Sequence, residues 1–85
     1  MLKLKEVNEI IEKCSKMYEL IVQYQFGKIS PHYIREKLIE TIQLLMSYFS
    51  LNLSIDIDSL SISELIMLFD FLAHRLHQIV KCEFH

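Results

Sequence analysis

Glycine and proline are nearly missing from this chain. Each occurs once in 85 residues, as Gly27 and Pro31, and both fall in the single stretch FGKISPHY. Tight turns lean on these two residue types, so an all-β fold with many hairpins is disfavoured. Tryptophan is absent, and cysteine occurs twice, at Cys14 and Cys82. A secreted mini-protein stapled by disulfides would carry more cysteines. The opening MLKLKEVNEIIEK has charges throughout, unlike the apolar centre of a signal peptide. Charge of one sign is also missing: nine basic and eleven acidic residues leave a net charge of −2, with no basic face for nucleic acid. The longest charge-free run, Thr41 to Ile55, includes Asn52 and several hydroxyl residues, and is too short and too polar to span a bilayer. These absences predict a cytoplasmic protein with free thiols, binding neither nucleic acid nor membrane.

What the chain has instead is apolar surface. Hydrophobic residues make up 52% of it, a high share for so short a chain. The length fits one domain, residues 1–85, which would bury roughly 60–65% of the surface its unfolded form exposes. The surplus belongs in a well-filled core, a partner surface or a contact between copies.

Helical periodicity organises most of the sequence. Val7, Ile10, Ile11, Cys14, Met17, Tyr18 and Ile21 recur at three- and four-residue spacing, predicting a helix from about Lys3 to Phe26 with Gly27 as its left-handed stop. Ser30 followed by Pro31 is a restart signal: a hydroxyl N-cap, then proline where its missing N–H costs nothing. The second helix is predicted to run to about Ser50, with Ile34, Leu38, Ile42, Leu45 and Phe49 facing the core. Tyr33, Leu44 and Tyr48 fall well off that stripe. The next segment, LNLSIDID, alternates like a strand, but a lone strand has no ladder partner in a helical domain. It is expected as an extended connection whose Leu51, Leu53, Ile55 and Ile57 tuck against the bundle. The alternative is pairing with the same segment of another copy. SISE, Ser61 to Glu64, has the pattern of a capping box opening a third helix. There Leu65, Leu68, Phe69, Leu72, Leu76 and Ile79 face the core, while Met67 and Phe71 fall opposite, among Asp70, His74 and Gln78.

Three chemistries have candidate residues in the chain. His74, His77, Cys82 and His85 are ligand types for zinc, but their spacing matches no zinc module and they fall mainly on a polar face, so no metal is expected. DSLSISELIM is similar to the aspartate–serine–leucine motif of acyl carrier proteins, which would make Ser59 the modified serine; a serine-rich helix start is the expected reading. Asp70 and His74, one turn apart, have the spacing of an exposed ion pair and imply no reaction. No cofactor and no enzymatic activity are expected.

The stretch LIMLFDFLAHRL resembles the signature helix of the flagellar export chaperones of the FliS family, Leu-x-x-Leu-Tyr-Asp-Tyr-Met-x-x-Arg-Leu. Leu65, Leu68, Asp70, Arg75 and Leu76 match identically, and Phe69, Phe71 and Leu72 are close substitutes. The preceding IREKLIETIQLLMSYF is similar in character to the helix before that signature. The resemblance implies a cytoplasmic chaperone that wraps a helix-forming client segment such as that of flagellin.

The sequence thus predicts an all-α fold: an antiparallel three-helix, or incomplete four-helix, bundle with an extended segment before the last helix. Its expected role is non-catalytic binding of an amphipathic helical client through Tyr33, Leu44, Tyr48, Met67 and Phe71. The alternative is a self-associating regulator, a homo-dimer or a phage or plasmid accessory protein that acts by occluding a partner.

Overall fold

The computed structural model describes residues 4–51 and 54–83. It is an all-α bundle of three helices, α1 (Leu4–Gln25), α2 (Pro31–Phe49) and α3 (Ile62–Glu83), with a short 3-10 turn at Ile57–Ser59. Each boundary has a local cause. Helix α1 ends in a Schellman motif: Gly27 takes φ 74°, its N–H donates to the Tyr24 carbonyl, and the Lys28 N–H donates to that of Gln23. Ser30 caps α2, its hydroxyl accepting from the Tyr33 N–H at 3.2 Å, and Pro31 occupies the first turn. At the start of α3 the capping box forms in both directions. Ser61 Oγ accepts from the Glu64 N–H at 3.2 Å, and Glu64 Oε1 accepts from the Ser61 N–H at 2.9 Å. That bond to the ionised form holds the Glu64 carboxyl below its ordinary range.

Helix α2 ends in the same kind of motif as α1, but with Ser50 at φ 53° where glycine would be unstrained. The Ser50 N–H donates to the Ser47 carbonyl, and that of Leu51 to Met46. A left-handed L-residue costs about 1–2 kcal/mol, partly returned by the entropy glycine loses on folding. Ser50→Gly should therefore raise stability by about 0.5–1 kcal/mol, read as a shift of the urea midpoint. An unchanged or lowered midpoint would mean that the serine is not strained.

The core lies where the three stripes meet. Val7, Cys14, Met17 and Ile21 from α1, Ile34, Leu38, Ile42 and Leu45 from α2, and Leu65, Phe69, Leu72, Ala73 and Leu76 from α3 are buried. Phe49, Leu68 and Ile79, expected in the core, are half-buried at its margin. Each large side chain in this set contributes about 1.5–3 kcal/mol of transfer free energy. Among the described residues no charged side chain is buried, and no buried side-chain polar atom lacks a partner.

The connection forms no strand among the described residues, as expected, but its apolar residues do not tuck against the bundle as expected. Leu51 and Ile55 are exposed, only Ile57 is half-buried, and Leu53 lies outside the described residues. The reason is local hydrogen bonding. The Asp56 carboxylate accepts from the Asp58 N–H at 3.2 Å, and Ser59 Oγ donates to the Asp56 carbonyl at 2.8 Å, which closes a turn and breaks the alternation. The Arg35 guanidinium donates to the Asp58 carbonyl, tying this turn to the first part of α2. The connection therefore runs back along α2. Helix α1 is antiparallel to α2, early α1 lying beside late α2. The Arg35–Asp58 and Tyr18–Asp70 contacts place α3 in the same sense as α2 and opposed to α1.

Candidate functional site

Helices α1 and α2 do not close fully on each other. Between them lies a trough made of two adjoining hollows, of about 640 and 400 Å³, which share Lys13 and Leu44. The α2 wall is Tyr33, Lys37, Thr41, Leu44 and Tyr48, residues that fall on one flank at helical spacing. The α1 wall is Ile10, Lys13, Met17 and Leu20, again one flank. Three of the five residues predicted to bind a partner, Tyr33, Leu44 and Tyr48, are thus brought together. Tyr33 is exposed, and Leu44 and Tyr48 are half-buried.

The other two are elsewhere. Met67 and Phe71 are 72% and 61% exposed on the outer face of α3, and neither lines the trough. The α1 wall was not singled out from the sequence, because Met17 and Ile10 read as ordinary members of the core stripe. Lys13 and Leu20, flanking that stripe, are the signal that would have found them.

Polar groups shape the trough. The Lys37 ammonium sits 5.7 Å from the centre of the Tyr33 ring and 3.7 Å from a Glu40 carboxylate oxygen. Thr41 Oγ1 donates to the Lys37 carbonyl at 2.8 Å and lies 3.6 Å from Met17 Sδ. The far end carries Glu6 and Glu9.

On the other side of α1 a second polar contact fixes α3. The Tyr18 hydroxyl donates to Asp70 Oδ1 at 2.6 Å, and the Tyr18 ring lies 4.9 Å from that of Phe69. Partial burial, then the bond to Asp70, pushes the Tyr18 hydroxyl well above the usual tyrosine range. Burial also pushes the Cys14 thiol up to about 11. Both folded values are raised, so both groups favour the fold while protonated. Their contribution is complete below the unfolded values and is lost as pH rises through the folded ones. Stability should hold near neutral pH and fall from about pH 9, with roughly 2 kcal/mol at stake for Cys14. Melting temperatures between pH 7 and pH 11 would show it, and Tyr18→Phe should flatten the later part of the decline. A flat profile in the parent protein would contradict both assignments.

The remaining chemistries gather no site. Asp70 bonds to Tyr18, and no ion pair joins it to His74. His77 Nδ1 lies 3.1 Å from the Ala73 carbonyl, a bond within the helix. Among the described residues no three histidine, cysteine or carboxylate side chains converge on a metal position; the Cys82 side chain and His85 lie outside them. Ser59 sits in the 3-10 turn, its hydroxyl bonded to Asp56. Among the described residues no helix is long and apolar enough to cross a membrane.

No protein-family model, curated protein or solved structure matches the chain. Of the residues that carry the resemblance in α3, Leu65, Phe69, Leu72 and Leu76 go into the core and Asp70 bonds to α1. They build the bundle; the trough is built by the other two helices.

Proposed function

We propose that this chain is a non-catalytic protein-binding module that holds an amphipathic helical segment of a client in the α1/α2 trough. One observation carries the reading. In a bundle whose three stripes otherwise meet, an open channel with an apolar floor and aromatic side chains at both ends remains between two helices. A helix laid there would bury its apolar face against Ile10, Leu20, Leu44 and Tyr48, completing a fourth helix of the bundle. Tyr33 and Tyr48 supply large contact area at low entropic cost. In its most specific form the module is a cytoplasmic chaperone, which shields an export client such as a flagellin-like protein until delivery. That form rests on the resemblance of residues 65–76. The exposed Met67 and Phe71 favour a second reading, self-association through α3, which would make the melting temperature depend on concentration.

The test is capture from the source lysate with the parent chain and Leu44→Asp in parallel. A helical client recovered by the first and lost by the second is the expected result. Equal recovery by both, or none by either, would remove the trough as a binding site.

A further inference from the structure

The trough is not uniform along its length. At the Tyr33 end stand Lys13, Lys16 and Lys37, with Glu40 the one carboxylate beside them. At the Tyr48 end stand Glu6 and Glu9, with Lys13 at the junction. Glu40 is taken up by Lys37 at 3.7 Å. Among the described residues no ion pair engages Lys13, Lys16, Glu6 or Glu9. Glu6 and Lys16 are about 15 Å apart along α1 at 1.5 Å per residue. That exceeds the Debye length of about 8 Å at physiological salt, so the two ends act as separate poles, although Glu9 and Lys13 meet between them, about 6 Å apart along the axis.

We propose that these poles orient the occupant. The trough takes an amphipathic helix lying parallel to α1, with basic flanks in its N-terminal half beside Glu6 and Glu9 and carboxylates in its C-terminal half beside the lysines. The proposal rests on the reading of the trough as a helix-binding site and adds the direction and charge of the helix. Two effects act together. Side-chain charges of opposite sign are matched along the whole contact. The occupant's own dipole places its positive end at the glutamates and its negative end at the lysines. A second copy of this chain is a poorer occupant. A two-fold pairing of troughs would also match the poles, but two concave faces leave each other's apolar floor unfilled. The exposed Met67–Phe71 pair lies on α3, away from it.

The test uses two acetylated and amidated peptides of about 18 residues, roughly 27 Å as a helix, with one shared leucine stripe. The forward peptide carries lysines in its first half and glutamates in its second; the mixed peptide alternates the same residues along its length, so that neither direction matches the poles. The mixed order allows more i,i+4 pairs of opposite charge in the isolated helix, so helicity alone works against the expected result. A spin label on the N-terminus of the forward peptide should broaden the amides beside Glu6 and spare those beside Lys16; the opposite pattern would overturn the direction. By fluorescence anisotropy at low salt, the forward peptide should bind about tenfold more tightly, given that exposed pairs add modestly but number several. The ratio should fall toward one in about 0.5 M salt. Lys13→Glu/Lys16→Glu, both on the exposed flank of α1, should erase the preference.

Equal affinities would overturn the polarity while leaving the trough as a helix site. Failure of both peptides to bind would remove the helix site and the polarity together. A preference untouched by the double substitution would also overturn it. So would a chain that sediments as a dimer and takes up either peptide only on dissociating, which would assign the trough to a second copy.

Discussion

Replacing Phe69 by alanine should cost about 3–5 kcal/mol, the range for a fully buried phenylalanine. A chain of this length has roughly 4–13 kcal/mol of total stability, so the loss takes from about a quarter of it to all of it. Three features put the loss at the high end. Phe69 is the largest of the fully buried side chains, and it stands on α3, where that helix faces both others. Its ring also backs the Tyr18 ring, whose hydroxyl bonds to Asp70. Truncation would leave a cavity and loosen that clamp in one step. Urea denaturation followed by circular dichroism measures it. A loss below about 1 kcal/mol would be too small for a cavity in a packed core and would take Phe69 out of it.

The second large effect concerns binding. Leu44 is half-buried at the junction of the two hollows, so Leu44→Asp puts a charge on the floor where a client's apolar face would lie. Desolvating an unpaired carboxylate in a closed interface costs at least about 2 kcal/mol, which means a loss of affinity of thirtyfold or more. Helix α2 should keep its fold, because Leu44 lies outside the buried core. Phe71→Asp is the control. It changes a side chain on the outer face of α3 and should leave client affinity within about twofold, as surface substitutions away from a contact usually do. If Phe71→Asp abolishes binding and Leu44→Asp does not, the binding surface is on α3 and the trough is a passive gap.

Most of the fold could be read from the sequence, since a 3.6-residue period with an explicit stop at Gly27 and explicit starts at Ser30 and Ser61 leaves little freedom. The stop at Ser50 was not marked by a glycine, and the position alone had to serve. The connection misled because period two is a statement about side chains, whereas Asp56 and Ser59 act on the backbone. Its return along α2 depends on Arg35 reaching a carbonyl 23 residues away in sequence, which no local pattern contains. For the candidate site, Tyr33, Leu44 and Tyr48 stood out as apolar residues off their stripe. Their partners on α1 did not, because Ile10 and Met17 belong to the core stripe, and Met17 is indeed buried there. Met67 and Phe71 were rightly placed opposite the core of α3, but sharing an exposed character with Tyr33 does not put them on the same surface.

Cys14 has a consequence of a different kind. Its sulfur is almost wholly enclosed among the three helices and held as the thiol far above neutral pH. Reagents that attack thiolates must wait until α1 lifts away from its neighbours. With Cys82 replaced by serine, the labelling rate at that one atom then counts the openings of the whole bundle. Whatever fills the channel between α1 and α2 would slow that count in proportion to how tightly it holds the two helices together.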